Sequence, residues 1–189
     1  MDVESGKVSR DAVFVNLGTR AVLVPGKPVL AIMQLMDKKT LHSQLNLFNY
    51  RTHQLIPTKD VAIIGVSMAF SGDGQSLAVA TSDGPIHVYD TTTWDEKATL
   101  QRVRLQDKTF LHYNNVALNA DGTILAAVPQ GQGTPQCETW SVGTQSTRTM
   151  AVGQCGALAL SPDGKTVAIA VSNAGIRFAD AATGQEKRP

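Results

Sequence analysis

The sequence predicts an all-β protein built from four-stranded antiparallel sheets. Three observations indicate this fold class: a repeated sequence unit, an Asp-Gly turn inside each clear copy of the repeat, and short apolar runs on both sides of that turn. Runs this short, bounded by Gly and Asp, are poor helices. Because they are apolar at nearly every position rather than at alternate ones, they are typical of strands covered on both faces.

The repeat is clearest in three stretches of the chain. They read "MAFSGDGQSLAVATSDGPIHVYD" from Met68, "VALNADGTILAAV" from Val116 and "LALSPDGKTVAIAV" from Leu158, and a weaker copy, "AVLVPGKPVLAIM", begins at Ala21. The turn in each clear copy is predicted to hold an Asp near its corner and a Gly with a positive φ. These glycines are Gly74, Gly122 and Gly164.

The spacing of the repeat predicts its architecture. An equivalent, mostly polar residue recurs about every 40 residues, at Asp2, Asn49, Asp90, Ser141 and Asp180. This period is the length of one four-stranded blade of a β-propeller. We therefore expect a single domain over residues 1–189 with repeats at approximately 3–49, 50–90, 91–141 and 142–180.

The sequence resembles the WD40-repeat family in a degenerate, prokaryotic-type form. The resemblance lies in the "SPDGKTVA"-type hairpin, in Asp83 of the "SDG" turn, and in the aromatic-then-polar strand ends Phe48-Asn49, Tyr89-Asp90 and Trp140-Ser141. It implies a β-propeller of four-stranded antiparallel blades that acts as a non-catalytic scaffold for protein partners. No copy has a literal Trp-Asp pair at this strand end, and another propeller family is the alternative.

The two ends of the chain share the phrase Asp-x-x-(Ser/Thr)-Gly, beginning at Asp2 and at Asp180. In a WD40-like blade this phrase joins the third strand to the outermost one. Residues 7–15 are therefore expected to complete the last blade, because "EKRP" after the second phrase is short and polar. The apolar residues that define this closure strand are Val8, Val13 and Val15.

Complementary ends of this kind predict self-association. Two chains, each lending its first strand to the last blade of the other, would form an eight-bladed ring as a homodimer. Two alternatives stay open. Four blades could close within one chain, or the sequence could be a segment, natural or engineered, of a longer propeller whose main property is self-association.

Composition limits the function classes. Hydrophobic residues make up 42% of the chain, charged residues 17%, and the formal net charge is +1, so neither nucleic acid nor a membrane is an expected partner. Cys137 and Cys155 are the only cysteines, and we expect both to be reduced. The absence of an apolar leader or spanning segment predicts a soluble, cytoplasmic protein.

No catalytic, metal-binding or cofactor-binding set is recognisable. The four histidines fall at different points of their repeats, without the spacing of metal ligands. We therefore expect no enzyme activity and no cofactor, and a scaffold that mediates protein–protein interaction. The rival class is a small-molecule-binding or catalytic propeller, which would gather polar side chains over its central channel.

One loop combines the residue types that are enriched at binding hot spots. It reads "QRVRLQDKTFLHY", and its candidate partner-binding residues are Arg102, Arg104, Lys108, Phe110, His112 and Tyr113. The favoured alternative interpretation is structural. In that interpretation Phe110 and Tyr113 pack against the neighbouring blade, and the charged side chains are solvated.

Overall fold

The structure is a computed structural model, and it describes residues 20–37, 42–56, 62–63, 65–102, 111–130, 136–151, 155–172 and 174–187. Every regular element in these ranges is a β-strand, and the strands form four antiparallel sheets. The prediction of four-stranded antiparallel sheets is therefore confirmed for three of the four, and the first sheet has a fifth strand. Within the same ranges, no helix is long and apolar enough to cross a membrane.

The strands follow one another in each sheet in the order of the chain. The first sheet contains β1 (Arg20–Leu23), β2 (Val29–Asp37), β3 (His42–Asn49) and β4 (Gln54–Ile56), with β5 (Ala62–Ile63) also beside β3. The second contains β6 (Gly65–Phe70), β7 (Ser76–Thr81), β8 (Ile86–Asp90) and β9 (Glu96–Leu100). The third contains β10 (His112–Leu118), β11 (Ile124–Gln130), β12 (Gln136–Ser141) and β13 (Ser146–Ala151). The fourth contains β14 (Cys155–Leu160), β15 (Thr166–Val171), β16 (Gly175–Asp180) and β17 (Glu186–Lys187).

The Asp-Gly turn joins the first two strands of the second, third and fourth sheets. In the second sheet Ser71 Oγ accepts a hydrogen bond of 2.9 Å from the backbone N–H of Ser76, and Asp73 Oδ1 accepts one of 2.9 Å from that of Gln75. Ser161 and Asp163 repeat this arrangement in the fourth sheet. The predicted positive φ is confirmed at all three glycines: Gly74, Gly122 and Gly164 have φ of 68°, 71° and 70°.

The outer hairpin explains the recurring polar residue. The side-chain oxygen of Asn49, Asp90 or Asp180 accepts hydrogen bonds from the backbone N–H groups two and three residues later, and so closes the turn. Four residues after the recurring position the backbone is left-handed in every sheet. The residues concerned are His53, Trp94, Gln145 and Gly184, with φ of 58°, 61°, 53° and 73°.

The hydrophobic core lies between consecutive sheets. One cluster of buried side chains joins the first sheet to the second, another joins the second to the third, and another joins the third to the fourth. Neighbouring inner turns are also hydrogen-bonded: Asp73 donates its backbone N–H to the carbonyl of Ala120 at 2.8 Å, and Ala120 donates its own to that of Pro162 at 2.9 Å. The second and third sheets therefore each pack a neighbouring sheet on both of their faces, as their apolar strands predict.

Candidate functional site

The predicted partner-binding loop is anchored at both ends by one buried carboxylate. Tyr113 lies in β10 and is fully buried, and its hydroxyl donates a hydrogen bond of 2.9 Å to Glu138 Oε2. Arg102, before the loop, donates from Nη1 to Glu138 Oε1 and, at 2.7 Å, to Thr149 Oγ1. Glu138 itself has no exposed surface. The described residues on the two sides of segment 103–110 thus lie beside the same side chain.

The backbone at this point closes the loop as well. The N–H of Leu111 donates a hydrogen bond of 2.9 Å to the carbonyl of Arg102. Burial next to the Glu138 carboxylate raises the pKa of Tyr113, so its phenol stays protonated and remains a donor. Each donor matters because a buried polar group that loses its hydrogen-bond partner is unfavourable.

Tyr113 must therefore be removed from the candidate partner-binding residues. It was a candidate because it is an aromatic residue close to a charged loop, but it occupies a buried strand position between the second and third sheets. His112 lies in the same strand and is partly exposed, and Arg102 is partly exposed while it bonds Glu138. The remaining candidates, Arg104, Lys108 and Phe110, lie outside the described residues.

Some ionisable side chains elsewhere in the described ranges have a local partner. His87 Nδ1 lies 3.2 Å from Glu96 Oε1, and the His53 ring stacks on Phe48 with centroids 6.4 Å apart. No group of three or more His, Cys, Asp or Glu residues in this part of the chain could hold a metal ion. Cys137 and Cys155 are free thiols, and burial raises the pKa of each.

The outer edge of the fourth sheet is only partly paired. Strand β12 is matched by β13 at every residue from Gln136 to Ser141. In contrast, β17 pairs with β16 only at Phe178 and Ala179, among the residues that are described. The expectation that the residues after Asp180 form no outer strand was wrong for Glu186 and Lys187, which do form a short one. The predicted closure strand, residues 7–15, lies outside the described ranges.

One face of the fourth sheet carries large exposed apolar side chains. Ile176 is 67% exposed and Phe178 is 41% exposed. Both alternate in β16 with Arg177 and Ala179, and they pair with Ala170 and Ala168 of β15, so these four side chains share a face. The sequence pattern did not predict this exposed face. The alignment of Ile176 with Ile86, whose side chain is completely buried, favours burial at this position instead.

The first sheet has an exposed apolar face of its own. Leu23 is 59% exposed and Leu55 is 61% exposed. Leu23 pairs with Leu30, and Leu55 pairs with Phe48, which places the four on one face. Leu30 and Phe48 are half-buried, and Ile32, which points the same way, is buried.

No protein-family model matches the sequence, and the comparison with curated proteins finds no match either. Among solved structures, the chain is similar to hydrazine synthase of Kuenenia stuttgartiensis, with a TM-score of 0.65 and 18% sequence identity. The match covers 89% of this chain and 47% of that one, so this chain spans about half the length of its structural neighbour. At this identity the likeness concerns the fold alone, and it agrees with a propeller-like arrangement of the four sheets.

Proposed function

We propose that the chain is a non-catalytic, WD40-like β-propeller scaffold that mediates protein–protein interaction and completes an eight-bladed ring with a second copy of itself. The observation that carries this proposal is the outer edge of β16. On that side, residues Gly175 to Arg177 have no strand partner among the described residues, whereas the equivalent strands β8 and β12 are paired along their lengths. Unpaired backbone N–H and C=O groups at such an edge readily accept an added strand.

Residues 7–15 of the second copy are the proposed added strand. Their sequence, "KVSRDAVFV", ends in an uninterrupted apolar run, which is typical of a strand that is covered on both faces. Strand exchange of this kind would be reciprocal, because each copy contributes the same segment and offers the same edge. A two-fold arrangement would then leave no open sheet edge at either junction.

The loop at residues 103–110 is the proposed surface for other protein partners. Support comes from its anchored ends, since Arg102 and Tyr113 are both bonded to Glu138. A rigid support lowers the entropy lost when a loop binds. Arg104, Lys108 and Phe110 would make the contacts, in keeping with the enrichment of Arg and aromatic residues at interfaces. The free thiols of Cys137 and Cys155 are consistent with a reducing compartment such as the cytoplasm.

The closure strand is tested by the double variant Val13→Asp/Val15→Asp. We expect its solution mass to be half that of the wild type, because two carboxylates would be buried without partners in the closed ring. The control is Val13→Thr/Val15→Thr, which keeps β-branched side chains of high strand propensity and should stay assembled. An Asp variant with unchanged mass and unchanged thermal stability would overturn the closure.

A further inference from the structure

Each sheet of the fold has two unlike faces, and each contact between sheets joins one of each kind. We call the face that points to the next sheet along the chain the trailing face, and the one that points to the previous sheet the leading face. In the second sheet the trailing face contains Ala78, Ala80, Ile86 and Val88, all completely buried against the third sheet. The leading face of the third sheet that covers them includes Leu118, Leu125 and Trp140.

The same relation joins the other sheets. Residues Met33, Leu45 and Leu47 of the first sheet pack in one cluster with the second sheet, which contributes large side chains that include Phe70, Leu77 and Tyr89. Ala126 and Cys137 of the third sheet pack in one cluster with the fourth sheet. The chain therefore forms one type of interface three times over, and each instance buries a trailing face under a leading face.

The trailing face of the fourth sheet is the uncovered counterpart of this series. It contains Ala168, Ala170, Ile176 and Phe178, which align with the completely buried Ala78, Ala80, Ile86 and Val88 of the second sheet. The same residue type at the same place is thus fully buried at Ile86 and 67% exposed at Ile176. The two positions differ in whether a neighbouring sheet covers them.

The leading face of the first sheet is the uncovered counterpart at the other end. It contains Leu23, Leu30, Phe48 and Leu55. Phe48 occupies the strand position of Tyr89 and Trp140, the aromatic residues of the leading faces in the second and third sheets. The first sheet therefore offers large side chains, and the fourth sheet offers two alanines with Ile176 and Phe178. In the contact between the second and third sheets, two alanines with Ile86 and Val88 likewise pack on large side chains of a leading face.

We propose that these two faces are the halves of one interface, in which the trailing face of the fourth sheet packs on the leading face of the first sheet of a second copy. A second copy is the occupant to which the structure points, because this chain itself supplies the matching leading face. The inference rests on the proposed ring and adds a separate surface to it. The closure strand would pair with the edge of a sheet, whereas the residues named here belong to the faces of two sheets. Two such contacts, related by a two-fold axis, bury every terminal face.

The experiment uses two single variants of the whole chain, Ile176→Asp and Leu55→Asp, and measures solution mass by light scattering after size exclusion. Both side chains are exposed in the isolated chain, so the variants should keep the wild-type circular dichroism spectrum. We expect each variant alone to have half the mass of the wild-type assembly. Thr144→Asp, in an exposed turn of the third sheet, is the matched control and should keep the wild-type mass.

Mixing the two variants tests whether the interface joins unlike faces. The Leu55→Asp chain keeps its trailing face and the Ile176→Asp chain keeps its leading face, so one intact contact can form between them. We expect a one-to-one complex in the mixture, at concentrations where each variant alone is a monomer. Wild-type chains that stay assembled while both variants also keep the full mass would overturn this inference and leave only the exchange of the closure strand. A monomeric wild type would overturn the ring and this inference together, and a mixture that stays monomeric would overturn the pairing of the two faces.

Discussion

Tyr113 and Glu138 are joined by a hydrogen bond of 2.9 Å between two completely buried side chains, in the contact between the second and third sheets. Arg102 bonds the other oxygen of the same carboxylate from the far end of the loop. Glu138 therefore fixes two points that are separated in sequence by the whole predicted partner-binding segment. The polar group that stabilises this loop lies in a strand outside the loop.

The hydroxyl of Tyr113 is expected to contribute to stability through this bond. Replacement by Phe keeps the buried ring but leaves Glu138 one donor short, at a cost of about 1–2 kcal/mol in the free energy of unfolding. Tyr89→Phe is the matched control, because no hydrogen bond of the Tyr89 hydroxyl is present among the described residues. Urea titrations of the two variants make the comparison. Equal losses in both would mean that the Tyr113–Glu138 bond is not stabilising.

Gly122 is expected to tolerate no side chain. Its φ is 71°, and a Cβ there would lie 2.7 Å from Ser76 Oγ in the neighbouring sheet. Gly26 has φ of 70° with nothing within 4 Å of a Cβ, so Gly26→Ala isolates the cost of the left-handed backbone. We expect Gly26→Ala to lower the free energy of unfolding by about 1–2 kcal/mol, and Gly122→Ala to lower it further. Thermal unfolding of the two variants measures this difference. Equal decreases in melting temperature would show that the close approach of Ser76 to Gly122 adds no cost.

The outer turn of the third sheet should gain stability from glycine. Gln145 is exposed and has φ of 53°, and the equivalent position of the fourth sheet is Gly184. Gln145→Gly is expected to raise the free energy of unfolding by up to about 1 kcal/mol, because glycine adopts this backbone without steric penalty. Gln145→Ala controls for loss of the side chain and should not be stabilising. A destabilised glycine variant would show that relief of the left-handed backbone does not control the stability of this turn.

Stability should decline in acid because several turn carboxylates titrate below their usual range. Hydrogen bonds from the backbone of Thr92 and Thr93 hold the pKa of Asp90 below its usual range, and those from Thr183 do the same for the pKa of Asp180. A folded-state pKa below the unfolded one gives stability that is present above the unfolded pKa and is lost as pH falls through the folded pKa. We therefore expect the urea concentration at the unfolding midpoint to decrease as the pH is lowered through the range in which aspartate takes up a proton.

The variant Asp90→Asn/Asp180→Asn tests the source of this pH dependence. Asn49 already closes the equivalent turn of the first sheet with the same hydrogen bonds, so the amide should fit. Between neutral and acid pH, the free energy of unfolding should decrease less in the double variant than in the wild type. An unchanged acid profile would assign the loss to other groups.

The sequence predicted the strands and their order because the determinants are local. The Asp-Gly turns, with Gly74, Gly122 and Gly164, and the apolar runs beside them define each inner hairpin within a few residues. The left-handed backbone at Trp94 was not predictable from residue type, since tryptophan does not favour that conformation and the turn imposes it.

The site was less predictable because burial depends on which sheets are neighbours. Tyr113 and Phe110 are both aromatic residues near the same basic loop, and only the position of Tyr113 in β10 shows that it packs inward. Glu138 belongs to no motif in the sequence, and its importance comes from two donors that lie far from it along the chain. Ile176 aligns with a buried residue and is exposed because no sheet covers it.

The most direct test of the proposed ring is the solution mass of the wild-type chain, measured by light scattering behind size exclusion over a wide range of concentrations. The ring predicts a constant mass near twice 20.1 kDa. A mass of 20.1 kDa at every concentration would contradict it, because no second copy would then pair with the edge of β16 or cover the terminal sheet faces.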